Sequence, residues 1–252
     1  MQLFISHRLP ENLELPLHYH YILQSIVYHN LREEYGYSDF LHQSGYSAQE
    51  RQFRMFVFSL LKGKYEIAQK QISFRNQVSF EVRSADVRML RILKDNLEHN
   101  GITYLKQHYD DLQLRLADKV ITQDRVRIRM LSPLSVYSTD VETGKTYFYQ
   151  PEDAEFSEQV NANFQRKYKA YTGIEPASGV KIKPLTVKPR DKYVTLYKGF
   201  YLSGWFGEYE LYGEAKYLDF LYQVGLGSRN AQGFGMFEVV GEGSLTRNIE
   251  TK

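Results

Sequence analysis

The 252-residue sequence contains no cysteine, one tryptophan and no apolar run of membrane-spanning length, and its formal net charge is only +2. Each shortage excludes something. Without cysteine there are no disulfides, no zinc–cysteine centres and no thiol nucleophile, which fits a reducing compartment. The opening "MQLFISHRLPENLEL" has no apolar core of signal-peptide length, so the expectation is a soluble, cytoplasmic chain with no membrane partner. A net charge near zero does not mark a nucleic-acid binder; only a local concentration of basic residues would. His18 and His20 are two residues apart on a predicted helix and point away from each other, a poor metal pair. No metal and no cofactor is expected.

Tyrosine and phenylalanine, by contrast, are abundant, at 21 and 15 residues. Both favour strands, and on an exposed sheet both can stack unpaired bases. "QLFISHRL" alternates as a strand does. From Leu15 the run "LPLHYHYILQSIVYHNLREEYG" places Tyr19, Ile22, Ile26 and Leu31 at helical spacing. "RQFRMFVFSLLKG", "YEIAQKQISF" and "QVSFEVR" are strand-like. Ser84 is the predicted N-cap of a helix with Val87, Leu90, Leu93 and Leu97 on one face, closed by Gly101. "ITYLKQHYDDLQLRL" returns to strand.

The second half repeats this order. In "RVRIRML", Arg125, Arg127 and Arg129 alternate with Val126, Ile128 and Met130. The helix "DAEFSEQVNANFQRKYKAY", the strands "VKIKPLTV" and "YVTLYKGFYLSGWF", the helix "EAKYLDFLYQV" and the strand "FGMFEVV" follow. Each half therefore reads β-α-β-β-α-β. The predicted fold class is α+β: two tandem ferredoxin-like (RRM-like) domains, residues 1–120 and 121–252, the second bearing a glycine-rich loop at 225–235.

That loop, "GLGSRNAQGFGMF", fails as a dinucleotide fingerprint, because Asn230 stands where the third glycine of G-x-G-x-x-G belongs and a helix precedes it. It lacks the Gly-Lys-Ser/Thr of a Walker loop as well. One reading is a helix C-cap at Gly225 followed by a long turn. The other is a phosphate site in which Gly225, Gly227, Gly233 and Gly235 permit positive φ, backbone N–H groups form an anion nest, and Arg229 adds a charge.

Four stretches decide between them: "LPLHYHYILQSIVY", "LHQSGY", "LSPLSV" and "VGLGSRNAQGFGMFEV". In this order they resemble the CRISPR-associated repeat-RNA-processing endoribonucleases of the RAMP superfamily. The resemblance implies attack of an RNA 2′-hydroxyl on the adjacent phosphate, leaving a 2′,3′-cyclic phosphate and a 5′-hydroxyl, without a metal. It implies His42, in the Leu41-His42 pair, as the catalytic histidine, a residue type suited to proton transfer near neutrality. Tyr28 falls on an assisting position, and Arg54, with Arg51 nearby, stands where some members have a lysine. An arginine there would stabilise the phosphorane charge but not act as a base. The residue that deprotonates the 2′-hydroxyl stays open.

With an RNA ligand, two basic groups compete for the phosphates: Lys181, Lys183, Lys188, Arg190 and Lys192, or Arg125, Arg127 and Arg129. The first also suits an edge strand guarded by lysine. The implied partners are CRISPR repeat RNA, as precursor and mature guide, with effector-complex proteins or a second copy of the chain as further candidates. The alternative function is a non-catalytic RAMP scaffold that holds guide RNA in an effector complex.

Overall fold

The structure, a computed structural model, describes residues 1–31, 45–48, 51–197, 199–241 and 244–248. Among the described residues, eleven of the strands and four helices carry the architecture. In the first half these are β1 (Gln2–Arg8), α1 (His20–His29), β2 (Lys62–Ala68), β3 (Gln71–Ser84), α2 (Val87–Asn100) and β4 (Leu112–Ile121). In the second they are β5 (Arg125–Met130), α3 (Phe156–Thr172), β6 (Lys181–Thr186), β7 (Lys192–Tyr197), β8 (Phe200–Trp205), β9 (Glu208–Tyr212), α4 (Ala215–Val224), β10 (Phe237–Val239) and β11 (Ser244–Asn248).

Antiparallel pairing gives the first sheet the order β4-β1-β3-β2 and the second the order β10-β5-β9-β6. Both are the 4-1-3-2 arrangement of a split βαβ unit, so the tandem ferredoxin-like expectation is met in strand pairing, with one correction: the third strand of the second sheet is Glu208–Tyr212, while "YVTLYKGFYLSGWF" folds into a separate hairpin. In each unit the two helices cover one face. Leu23 and Val27 of α1 and Leu90, Leu93 and Leu97 of α2 pack on Leu3, Ile5, Phe80 and Val82. In the second unit Val160 and Phe164 of α3 and Leu218 and Leu221 of α4 pack on Val126, Ile128 and Leu211.

Several local expectations are corrected. The first helix begins at His20 and not near Leu15, because Leu13–Pro16 forms a strand on β3, with Leu13 and Leu15 opposite Phe74 and Ile72. Asp86, not Ser84, caps α2: its carboxylate accepts from the N–H groups of Arg88 and Met89. Ser84 instead ends β3 and donates its hydroxyl to Met55 O at 2.8 Å. Gly101 does close α2, at φ 63°.

The units are interlocked. Residues 244–248 leave the second unit and pair with β4, so β11 forms the outer edge of the first sheet. The β7–β8 hairpin, inserted between β6 and β9, reaches α1 and the turn before it: His18 Nδ1 lies 2.9 Å from Thr195 Oγ1, and His20 Nε2 lies 3.0 Å from the Tyr193 hydroxyl. Between the units Arg83 of β3 is buried. It bonds Glu81 at 2.5 Å, donates to Phe237 O at 2.6 Å, and sits 3.8 Å from the Tyr222 ring centroid.

Candidate nucleic-acid site

Helix α4 ends at Gly225, whose φ of 84° turns the chain out of the helix while its N–H still reaches Leu221 O. The loop that follows is held tightly. N–H groups donate from Gly225 to Leu221 O, Leu226 to Gly235 O, Ser228 to Ser135 O, Gly233 to Asn230 O and Gly235 to Pro133 O. The expected anion nest is therefore corrected at those positions, because their N–H groups are spent inside the protein. The glycines serve close approach instead: a Cβ on Gly227 would lie 2.5 Å from Ser135 O, and one on Gly235 would collide with Leu226 O. What the loop presents is side chains, foremost Arg229, itself in the left-handed region at φ 62°.

Arg229 borders a cavity of about 580 Å³ whose wall also includes Gln24, Tyr28, Arg54, Asn163 and Lys167. Its guanidinium lies 4.8 Å from the Tyr137 ring centroid and donates to Gln232 Oε1 at 3.2 Å. Its Nε is buried with no partner among the described residues, as is Asn163 Oδ1. Tyr28 enters from α1, edge-on to Phe56 at 5.8 Å. Its hydroxyl accepts a hydrogen bond from Arg54, and burial raises its pKa against the opposing pull of that guanidinium. The phenol is thus a hydrogen-bond donor at neutral pH. Arg54 also donates to Gln52 Oε1 at 3.2 Å. Gly45, at φ 52°, makes room for it, since a Cβ there would collide with Nη1. So Tyr28, Arg54 and Arg229, separated by up to two hundred residues in the chain, meet in one polar cavity. His42 lies outside the described residues.

The loop has two supports that sequence reasoning passed over. His20 is buried, its Nδ1 2.9 Å from Gln232 O, and burial lowers its pKa to about 4, so the ring is neutral. Lys167 on α3 is 2 % exposed, and its Nζ donates to Gly225 O at 2.6 Å, Gly227 O at 3.0 Å and Asn230 Oδ1 at 2.9 Å. Burial lowers its pKa to about 7. The available signal was positional: Lys167 follows Val160 by seven residues on the apolar stripe of α3, where a lysine is out of pattern.

The two basic groups share a different surface. Register sets Arg127 beside Glu210 and Glu210 beside Lys183, on the face of the second sheet away from α3 and α4. There Arg125 pairs with Glu210 at 2.5 Å, Arg127 Nε with Glu208 at 2.9 Å, and Arg129 with Glu208 at 2.9 Å and Glu238 at 3.3 Å. Hydrogen bonds from Arg127 and Arg129 hold the Glu208 carboxyl below its usual range, and at Glu210 the Tyr212 hydroxyl does so first, with Arg125 adding to it. Lys181 and Lys183 are exposed on strand β6, while Lys188 and Arg190 lie in the turn before β7. Exposed ion pairs of this kind are weak and screened by salt.

Residues 116–239 match the family model described as CRISPR associated protein Cas6, C-terminal. That stretch, just under half of the chain, is similar to the C-terminal domain of Cas6. Among curated relatives, the CRISPR-associated endoribonuclease Cas6 of Pyrococcus furiosus is 35% identical over 111 residues. That match spans 44% of this chain and 40% of the Pyrococcus protein. The CRISPR-associated endoribonuclease Cas6 1 of Methanocaldococcus jannaschii is 22% identical over 246 residues, 94% of this chain and 92% of its own. In three dimensions a Cas6-related protein from Pyrococcus furiosus superposes with a TM-score of 0.80 at 20% identity, covering 96% of this chain and 99% of that one. A solved structure described as an RAMP protein binding different RNA substrates gives a TM-score of 0.80 at 19% identity, over 96% and 100%. At these identities the two structures speak to the fold. No helix among the described residues is long and apolar enough to cross a membrane.

Proposed function

We propose that this chain is a cytoplasmic endoribonuclease that cuts CRISPR precursor RNA within its repeats. The observation that carries the reading is the meeting of Tyr28, Arg54 and Arg229 in one polar cavity beside the glycine-rich loop. An RNA 2′-hydroxyl attacks the adjacent phosphorus and the bond to the 5′-oxygen breaks, leaving a 2′,3′-cyclic phosphate and a 5′-hydroxyl. The attacking oxygen loses a proton and the departing oxygen gains one. His42 serves in this transfer, and Gly45, three residues further on, packs against Arg54. Arg54 and Arg229 stabilise the charge that gathers on the phosphorane, and Tyr28 donates a hydrogen bond to a phosphate oxygen. Side chains supply every role in this scheme, so cleavage proceeds in EDTA.

The RNA partner extends from the cavity. Lys181, Lys183, Lys188 and Arg190 contact phosphates more readily than Arg125 and Arg127, which must first exchange their glutamates for RNA. Gly225, Gly227, Gly233 and Gly235 serve by shaping the loop.

The test is cleavage of an end-labelled repeat RNA in EDTA by wild type and His42→Ala, together with an RNA carrying 2′-deoxy at the cut position. Wild type cleaves to a cyclic phosphate end, and either change abolishes it. Tight binding without cleavage by the wild type would replace the enzyme with an RNA-holding scaffold. Normal cleavage by His42→Ala would remove that residue from the site.

A further inference from the structure

Lys167 is buried, and the described residues give it no counter-charge. Among the described residues no carboxylate comes within ion-pairing distance of its Nζ, and all three acceptors, Gly225 O, Gly227 O and Asn230 Oδ1, are neutral. A buried, unpaired cation is expensive to keep, and an apolar side chain would fill the same position in α3 without that cost. What the ammonium does that an apolar residue would not is hold three diverging acceptors at once.

The acceptors bracket Arg229. Gly227 precedes it by two residues and Asn230 follows it directly, and between them Arg229 adopts the left-handed backbone that a non-glycine residue seldom keeps unaided. Asn230 extends the brace, its Nδ2 donating to Leu226 O and Phe234 O, each at 2.9 Å. The ammonium sits at the C-terminal end of α4, where unpaired carbonyls and the helix dipole favour a cation. From α3 the same helical face brings Asn163, one turn earlier, to the loop at Ser228 Oγ, 3.4 Å away.

We propose that Lys167 is the positioning residue of the glycine-rich loop, holding Arg229 in its left-handed conformation so that the guanidinium faces the cavity and meets an RNA phosphate. The proposal rests on the reading of that cavity as an RNA site. Lys167 acts through Arg229, so removing either residue costs the same phosphate contact once.

The experiment is a double-mutant cycle on the full chain, with labelled repeat RNA binding followed by fluorescence anisotropy across a KCl series. Lys167→Met and Arg229→Ala each weaken binding about ten-fold, and each lowers the salt slope by about 0.7, one phosphate contact on a single strand. The double variant is no weaker than the weaker single and has the same slope. A merely structural loss would reduce the active fraction and leave the slope unchanged. About hundred-fold weakening in the double variant, or an unchanged slope in Lys167→Met, overturns the proposal. If Lys167→Met does not fold, Asn230→Ala takes its place in the cycle, with the same non-additivity expected and additivity again overturning it. Wild type that fails to bind repeat RNA sinks the reading of the cavity itself, an outcome distinct from additivity.

Discussion

Replacing Arg83 with methionine should loosen one unit from the other, and the structure sets the scale of the loss. Arg83 is 2 % exposed and Glu81, its partner on the same strand, is 4 % exposed. The substitution removes the 2.5 Å ion pair, the bond to Phe237 O in the second unit, and the stacking on Tyr222. Taken singly, a hydrogen bond from a charged donor contributes about 1.5–3 kcal/mol and a desolvated cation–π contact about 2 kcal/mol. They do not add, and the dominant cost is the Glu81 carboxylate left buried without its cation, so the total falls at about 3–5 kcal/mol. The double variant Arg83→Met/Glu81→Leu removes both charges and should recover most of this, to within about 2 kcal/mol of wild type. Urea titration reads the outcome with two probes. Far-UV circular dichroism follows both units, while fluorescence of Trp205, the chain's one tryptophan, follows the second unit alone. In wild type the two transitions coincide; in Arg83→Met they move to lower urea and separate. A single variant within about 1 kcal/mol of wild type, or a double variant as unstable as the single, would refute the reasoning.

Lys167 makes stability depend on alkaline pH. Its pKa is about 7 in the folded chain against 10.5 for an ordinary lysine, so between these values the unfolded chain binds the extra proton. Wild type therefore gains about 2 kcal/mol over Lys167→Met from pH 7 to 9, and a flat difference in urea midpoints across that range would reject the assignment. His20 acts at the acid side: with a folded pKa of about 4 against 6.5, wild type loses about 2 kcal/mol relative to His20→Gln as pH falls from 7 to 5. Parallel melts at the two pH values check this, and an unchanged difference counts against a neutral, buried ring. In single-turnover cleavage Arg54→Ala slows the reaction about 10²–10³-fold. Tyr28→Phe costs about ten-fold. An equal rate for Arg54→Ala would take the guanidinium out of the chemistry.

Much of the architecture was legible because apolar spacing alone specifies it. Val126, Ile128 and Met130 alternate and are buried, and Leu90, Leu93 and Leu97 recur at helical spacing and are buried. The strand at Leu13–Pro16 escaped because two leucines two residues apart, joined to a helical run, satisfy either period. Tyr28 and Arg54 were chosen by resemblance, and their mutual hydrogen bond is a tertiary fact that no spacing encodes. The glutamates paired with Arg125 and Arg127 lie more than eighty residues away in sequence, so local charge counting could not reveal them. Lys167 lay unremarked within a helical run, and only burial distinguishes a brace from a surface lysine.

The pairing of β11 with β4 has a consequence for biosynthesis. Residues 244–248 leave the ribosome after the whole second unit, so until then the first sheet carries an open margin at residues 117–121. During that interval, and in any fragment ending near residue 121, the exposed N–H and C=O groups of that margin are free to recruit a strand from another chain. A truncation before Ser244 should therefore associate through this edge, and the late strand acts as the seal that keeps newly made chains apart.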